Sequence, residues 1–125
     1  MVAPKIKMKA ILHKEFGGPE VLVVTNDVEI PQIEKHEVLI QVHAAGINRP
    51  DILQRSGGYP PPPGASEILG LEVSGEIVDV GEDVNKNLLN TKVCALVPGG
   101  GYAEFVKCHT STILPIPKGL SLIHI

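Results

Sequence analysis

The stretch Glu37 to Asp51, EVLIQVHAAGINRPD, sets the architecture of this chain. Its first nine residues place Val38, Ile40 and Val42 on one face and Leu39, Gln41 and His43 on the other, the period of a strand that packs mainly on one side. Asn48 then offers a side chain suited to an N-cap, Pro50 falls in the first turn where its missing N–H costs nothing, and Asp51 favours the positive end of a helix dipole. Ile52, Leu53 and Arg55 continue this short helix until Gly57 and Gly58 stop it. No other helical signal in the chain is as convincing.

Outward from this core the reading is β-rich. Lys9 to His13 is a short apolar run ended by Gly17, Gly18 and Pro19, and β-branched Val21 to Thr25 ends at Asn26 and Asp27, so the two read as a hairpin. Val73 to Val80 reads as a strand interrupted at Gly75, where a bulge or a close backbone approach is expected. Lys92 to Val97 and Tyr102 to Lys107 flank Pro98 and three glycines, and Ile113 to Pro117 ends in a Pro-x-Pro that forces an extended exit. Many short strands with glycine and proline turns suggest a small barrel or a partly open sandwich.

Length and charge set the bounds. A chain of 125 residues suits one domain that buries roughly 60 to 70 % of its unfolded surface. The 11 basic and 14 acidic residues are spread along the chain for a net charge of -3, which argues against a nucleic-acid footprint. No apolar run approaches the roughly 18 to 20 residues needed to cross a bilayer, and Met1 to Lys9 lacks the apolar core of a signal peptide. The expectation is a soluble cytoplasmic protein without a membrane partner.

Cys94 and Cys108 form no Cys-x-x-Cys pair and read as two buried thiols in a reducing compartment, although one disulfide between them is possible. Cys108 and His109 are neighbours in a strand, so they point to opposite faces and make a poor ligand pair. Gly99, Gly100 and Gly101 could cradle a phosphate, but no helix follows to supply an anion site, and a turn is the expectation.

The segments GGPEVL (Gly17 to Leu22), EVLIQVHAAGINRPD, QRSGGYPPPPGAS (Gln54 to Ser66), ILGLEVSGEIVDVG (Ile68 to Gly81) and CALVPGGGYAEFV (Cys94 to Val106) are individually weak and collectively specific. In this order and spacing the chain resembles the N-terminal domain of the medium-chain dehydrogenase/reductase superfamily, and within it the zinc-free quinone oxidoreductase branch. The resemblance implies a mainly β, GroES-like, partly open β-barrel with short helices over residues 9–119, preceded by a tail at 1–8. Asn87-Leu88-Leu89-Asn90-Thr91 departs from it, standing where the family usually turns with Gly-Asp.

The same resemblance carries the functional expectations. The zinc alcohol dehydrogenases of the superfamily have a Cys where Asn48 stands and a His where Leu71 stands, in a Gly-His-Glu that reads here Gly70-Leu71-Glu72. Leucine has no donor atom and an Asn amide is a poor substitute for thiolate on zinc, so no metal site is implied. Without a Lewis acid an alkoxide loses its stabilisation, whereas a quinone is a strong hydride acceptor that mainly requires positioning. The implied chemistry is reduction of a quinone or similar electrophile with NADPH, by a protein that is a homodimer at full length.

In that setting Tyr59 and Asn48 are the candidate catalytic residues. The Tyr59 phenol would hydrogen-bond or stack on the quinone, and the Asn48 amide, with Asp51 and Gln54 along the same helix, would support the cofactor end. Each has a plainer reading as well: Asn48 as a helix cap, Asp51 as a dipole residue, Tyr59 as a rim-packing aromatic on a stiff proline loop. Arg49 and Arg55 read as solvated or paired with Glu67 or Glu72.

No strand, glycine-rich turn and helix of the dinucleotide-binding kind occurs in the chain, so the nucleotide is expected to be held mainly by a further domain. Leu120 to Ile125, LSLIHI, coincides with a one-frame translation of a transposase sequencing-adapter end and is expected to be an artefactual tail. Two functions follow: the substrate-side domain of a quinone reductase, inactive alone, or a non-catalytic GroES-like module that is co-chaperonin-like or pairs with full-length subunits.

Overall fold

The structure, a computed structural model, describes residues 7–124. Most of the expected N-terminal tail, residues 1–6, and residue 125 lie outside the described residues. β1 (Lys7–His13) and β2 (Leu22–Glu29) pair antiparallel as the expected hairpin. β2 does not stop at Asn26 and Asp27. The register shifts between Met8↔Val28 and Ala10↔Thr25, so Lys9 alone opposes both residues, which are taken up in an exposed bulge.

The second sheet contains β3 (Glu37–Ala45), β4 (Glu72–Val80), β5 (Lys92–Leu96), β6 (Phe105–His109) and β7 (Ile113–Pro115) in the order β6-β3-β4-β5-β7. All its neighbouring strands are antiparallel. β3 has the bounds its alternation predicts: Val38 and Ile40 are fully buried, while Gln41 and His43 are exposed. Val38, Ile40, Val73, Ile77, Val93, Ala95, Val106 and Cys108 form the core from alternating positions of four strands. Each buried Val or Ile contributes about 1.5–3 kcal/mol. Both cysteines are free thiols, with Cys108 buried and Cys94 only partly so.

Gly75 combines the two expected features. A Cβ there would lie 2.1 Å from the Gln41 carbonyl oxygen, and beside it His43 is an extra residue between the pairs Val42↔Gly75 and Ala44↔Ser74. After β4 the chain turns through a short 3-10 segment, Lys86–Leu88, to Asn90, whose φ of 65 is left-handed. Asparagine tolerates that region better than most side chains, so it serves where the family places a Gly-Asp turn. The Asn90 N–H donates to the Ile77 carbonyl at 2.8 Å and the Ile77 N–H to the Thr91 carbonyl at 3.0 Å, which delivers β5 to β4 in register from Glu76↔Lys92 to Glu72↔Leu96.

The two sheets meet through the segment between β5 and β6. Ala10 bridges Ala103, the Ile11 N–H donates to the Tyr102 carbonyl at 2.9 Å, and the Val42 N–H donates to the Glu104 carbonyl at 2.8 Å. The sheets therefore curl toward each other without full strand pairing, as a partly open GroES-like barrel. α1 (Arg49–Ser56) spans the connection from β3 to β4.

Candidate active site

α1 begins as its sequence requires. Asn48 is extended at φ -124 and ψ 157, Pro50 sits in the first turn, and Gly57 ends the helix in the left-handed conformation at φ 95. Asp51 in the first turn returns its Oδ2 to the Asn48 N–H at 3.0 Å, one arm of a capping box. The amide nitrogen of Asn48 turns away from the helix and donates to Glu72 Oε1 at 3.0 Å. Asn48 therefore joins the helix start to the first residue of β4, with Leu71 adjacent.

Asp51 is more than a dipole residue. It is 2 % exposed, and its carboxylate accepts from the Tyr102 hydroxyl at 2.7 Å and from the Gly70 N–H at 3.3 Å in addition to the Asn48 N–H. Burial, and then the hydrogen bond and negative charge of Asp51, push the Tyr102 phenol above its usual pKa. At neutral pH it is a fixed donor. Gln54 is also buried, and its Nε2 reaches the Glu67 carbonyl only at 3.5 Å.

The three glycines make the turn expected of them. Gly100 N–H donates to the Ile68 carbonyl, Gly101 N–H to Gly70 and Tyr102 N–H to Leu69, so two backbone segments lie directly against each other. A Cβ on Gly70, at φ 107, would come within 2.6 Å of the Gly101 Cα.

Tyr59 is 40 % exposed and lies in the loop after α1, three residues past Ser56. It borders a cavity of about 250 Å³ together with Gln54, His13, Phe16, Pro60 and Glu67. The structure thus joins Asn48, Asp51, Glu72 and Tyr102 in one hydrogen-bonded group and places Gln54 and Tyr59 on the wall of one cavity. Arg55 pairs with neither Glu67 nor Glu72; its Nε donates to the Gly17 carbonyl at 3.1 Å. Tyr102 and Phe16 carried no signal for these roles, since a tyrosine after a glycine run and an aromatic before a turn look the same in any surface loop.

Residues 34–118 match the alcohol dehydrogenase GroES-like domain. The chain belongs to this family. It is the domain that opens members of the medium-chain dehydrogenase/reductase superfamily, and the GroES-like barrel expected from the motifs is the one found. The quinone oxidoreductase of Mus musculus is 42 % identical over 115 residues, covering 91 % of this chain and 35 % of that protein. Among solved structures, the quinone oxidoreductase of Coxiella burnetii superposes with a TM-score of 0.79 at 32 % identity, covering 94 % of this chain and 39 % of the other. A human synaptic vesicle membrane protein VAT-1 homolog-like protein reaches a TM-score of 0.83 at 28 % identity, with 93 % and 37 % covered. This GroES-like chain thus spans about a third of the length of the relatives it matches. Among the described residues no helix is long and apolar enough to cross a membrane, and no group of three or more His, Cys, Asp and Glu side chains is placed to hold a metal ion.

Proposed function

We propose that this chain forms the substrate side of an NADPH-dependent quinone oxidoreductase that delivers hydride to a quinone without zinc. The observation that carries the reading is the contact of Asn48 with Glu72 beside Leu71. The positions that correspond to metal ligands in zinc relatives carry an amide and an isobutyl group here, a donor set unsuited to zinc. What remains is a rigid polar edge suited to positioning, which is what a strong hydride acceptor needs.

Among the described residues, the glycine triplet is packed against Ser66, Ile68 and Gly70 and leads into a strand rather than a helix, so it does not supply the helix N-terminus of a dinucleotide site. NADPH, when bound, would supply the hydride, and its phosphates would be held by a part of the protein outside this chain. Asn48, fixed by Glu72, would offer its amide to the nicotinamide end or to the acceptor. Tyr59 would donate its phenol to a quinone oxygen. Asp51 and Gln54, both buried, would act as positioning residues that keep α1 in place behind these groups. A cytoplasmic homodimer is the setting this reading carries.

The alternative, a non-catalytic GroES-like module, is separated by one assay. NADPH oxidation with an ortho- or para-quinone is measured on this chain and on a version extended through the sequence that follows it at its genomic locus. The short chain is expected to be inactive and the extended one active. Turnover by the short chain would overturn the division of labour, and silence of both would favour the module.

A further inference from the structure

Phe16 is 69 % exposed, and Tyr59, also open to solvent, borders the same cavity of about 250 Å³, whose wall is continued by Gln54 and Pro60. The exposed ring and the phenol bordering one cavity give it two aromatic sides. The Phe16 ring is not loose. It lies on the end of α1, where a Cβ on Gly57 would come within 3.0 Å of its Cγ, and the His13 ring stands 6.2 Å away from it. The loop that carries it is clamped to the helix by a reciprocal pair: Gly17 N–H donates to the Arg55 carbonyl and Arg55 Nε to the Gly17 carbonyl, both at 3.1 Å.

The cavity is smaller than the roughly 300–1,000 Å³ typical of sites for drug-sized ligands, and so suits a planar molecule of one or two rings. Aromatic side chains bind such molecules by offset stacking or edge-to-face contact, and a phenol can at the same time donate to a ring oxygen. Resting on the reading that the acceptor is a quinone, we infer that Phe16 and Tyr59 form an aromatic clamp for a planar two-ring quinone, with Phe16 setting the preference for two rings over one. Phe16 is then a specificity residue that lies outside the motifs around α1, brought to the site by the β1–β2 connection.

The test uses the 125-residue chain and two probes that cannot arylate its thiols: duroquinone, with one ring, and a naphthoquinone methylated at both free alkene carbons. Amide-proton NMR titration is expected to shift Phe16, Gly57, Gly58 and Tyr59. Phe16→Ala should raise the Kd of the two-ring probe about five- to tenfold and that of duroquinone less than about twofold, as expected for loss of one ring contact. Phe16→Leu, which keeps apolar bulk over Gly57, guards against a folding defect and should still weaken the two-ring probe selectively. Shifts confined to other surfaces, or equal weakening of both probes, would overturn the clamp. Failure of the extended protein to reduce quinones, with selective binding intact, would instead strike at the enzymatic reading.

Discussion

The Tyr102 hydroxyl donates to the Asp51 carboxylate at 2.7 Å across 51 residues of chain. The contact fastens α1 to the segment that joins the two sheets, because the residues around Tyr102 also hold β1 through Ile11 and pack on Leu69 and Gly70. One buried carboxylate thus sets where the helix lies, and with it Asn48 at one end and Gln54 on the way to the other.

Tyr102→Phe removes a donor from a carboxylate that is 2 % exposed, and should cost about 1–3 kcal/mol by denaturant unfolding. The pH dependence has a definite sign. The folded pKa of Tyr102 lies above its unfolded value, so its contribution is fully present below about pH 10 and is lost as pH rises through the folded value. Stability measured from neutral to strongly alkaline pH should fall more steeply above that point in the parent than in Tyr102→Phe; parallel curves would contradict the assignment.

Gly70 and Gly64 separate two ways in which a side chain can be excluded. Both have left-handed backbones, at φ 107 and φ 81, but a Cβ on Gly70 meets backbone at 2.6 Å whereas one on Gly64 meets nothing within 4 Å. Gly64→Ala should cost only about 1 kcal/mol, the conformational penalty. Gly70→Ala should cost more than about 3 kcal/mol or prevent folding, because the Gly101 backbone cannot yield cheaply.

Asn48 and Leu71 can be tested for the metal chemistry that they lack. Asn48→Cys combined with Leu71→His should create thiolate and imidazole ligands next to Glu72 and give the thiolate-to-metal absorption of bound cobalt(II). Neither single variant should do so. Absence of the band in a folded double variant would mean that the side chains at the two positions do not converge on one ion.

Tyr59→Phe keeps the ring and removes the phenol at a site that is 40 % exposed, so stability should change by less than about 0.5 kcal/mol. In the extended protein turnover with a quinone should fall. Unchanged kinetics would leave Tyr59 as a packing residue.

Cys108 should react slowly with a thiol reagent near neutral pH. Burial raises its pKa, the Thr112 hydrogen bond opposes this by a smaller amount, and the Glu37 charge adds to the rise. Mass-spectrometric mapping after brief exposure should find the label at the partly buried Cys94 first.

The local pattern of the chain carried much of this structure. The alternation of Glu37 to Ala45 gave the bounds of β3, and the order of Asn48, Pro50, Asp51 and Gly57 gave both ends of α1. Periodicity and capping are legible because they act between residues a few positions apart, and the glycine and proline punctuation limited the connections enough to point to a small partly open barrel. The bulge at Asn26 and Asp27 and the left-handed Asn90 were not legible, since each depends on the strand opposite. The same holds for the site. That Asp51 is a helix-start residue is local chemistry, but that it is buried under Tyr102 and Gly70, that Asn48 turns to Glu72, and that Phe16 stands over Gly57 are outcomes of long-range packing. A single sequence names the donors and acceptors; only the folded chain decides which of them meet, because burial leaves each polar group to find its partner among whatever the other strands bring within reach.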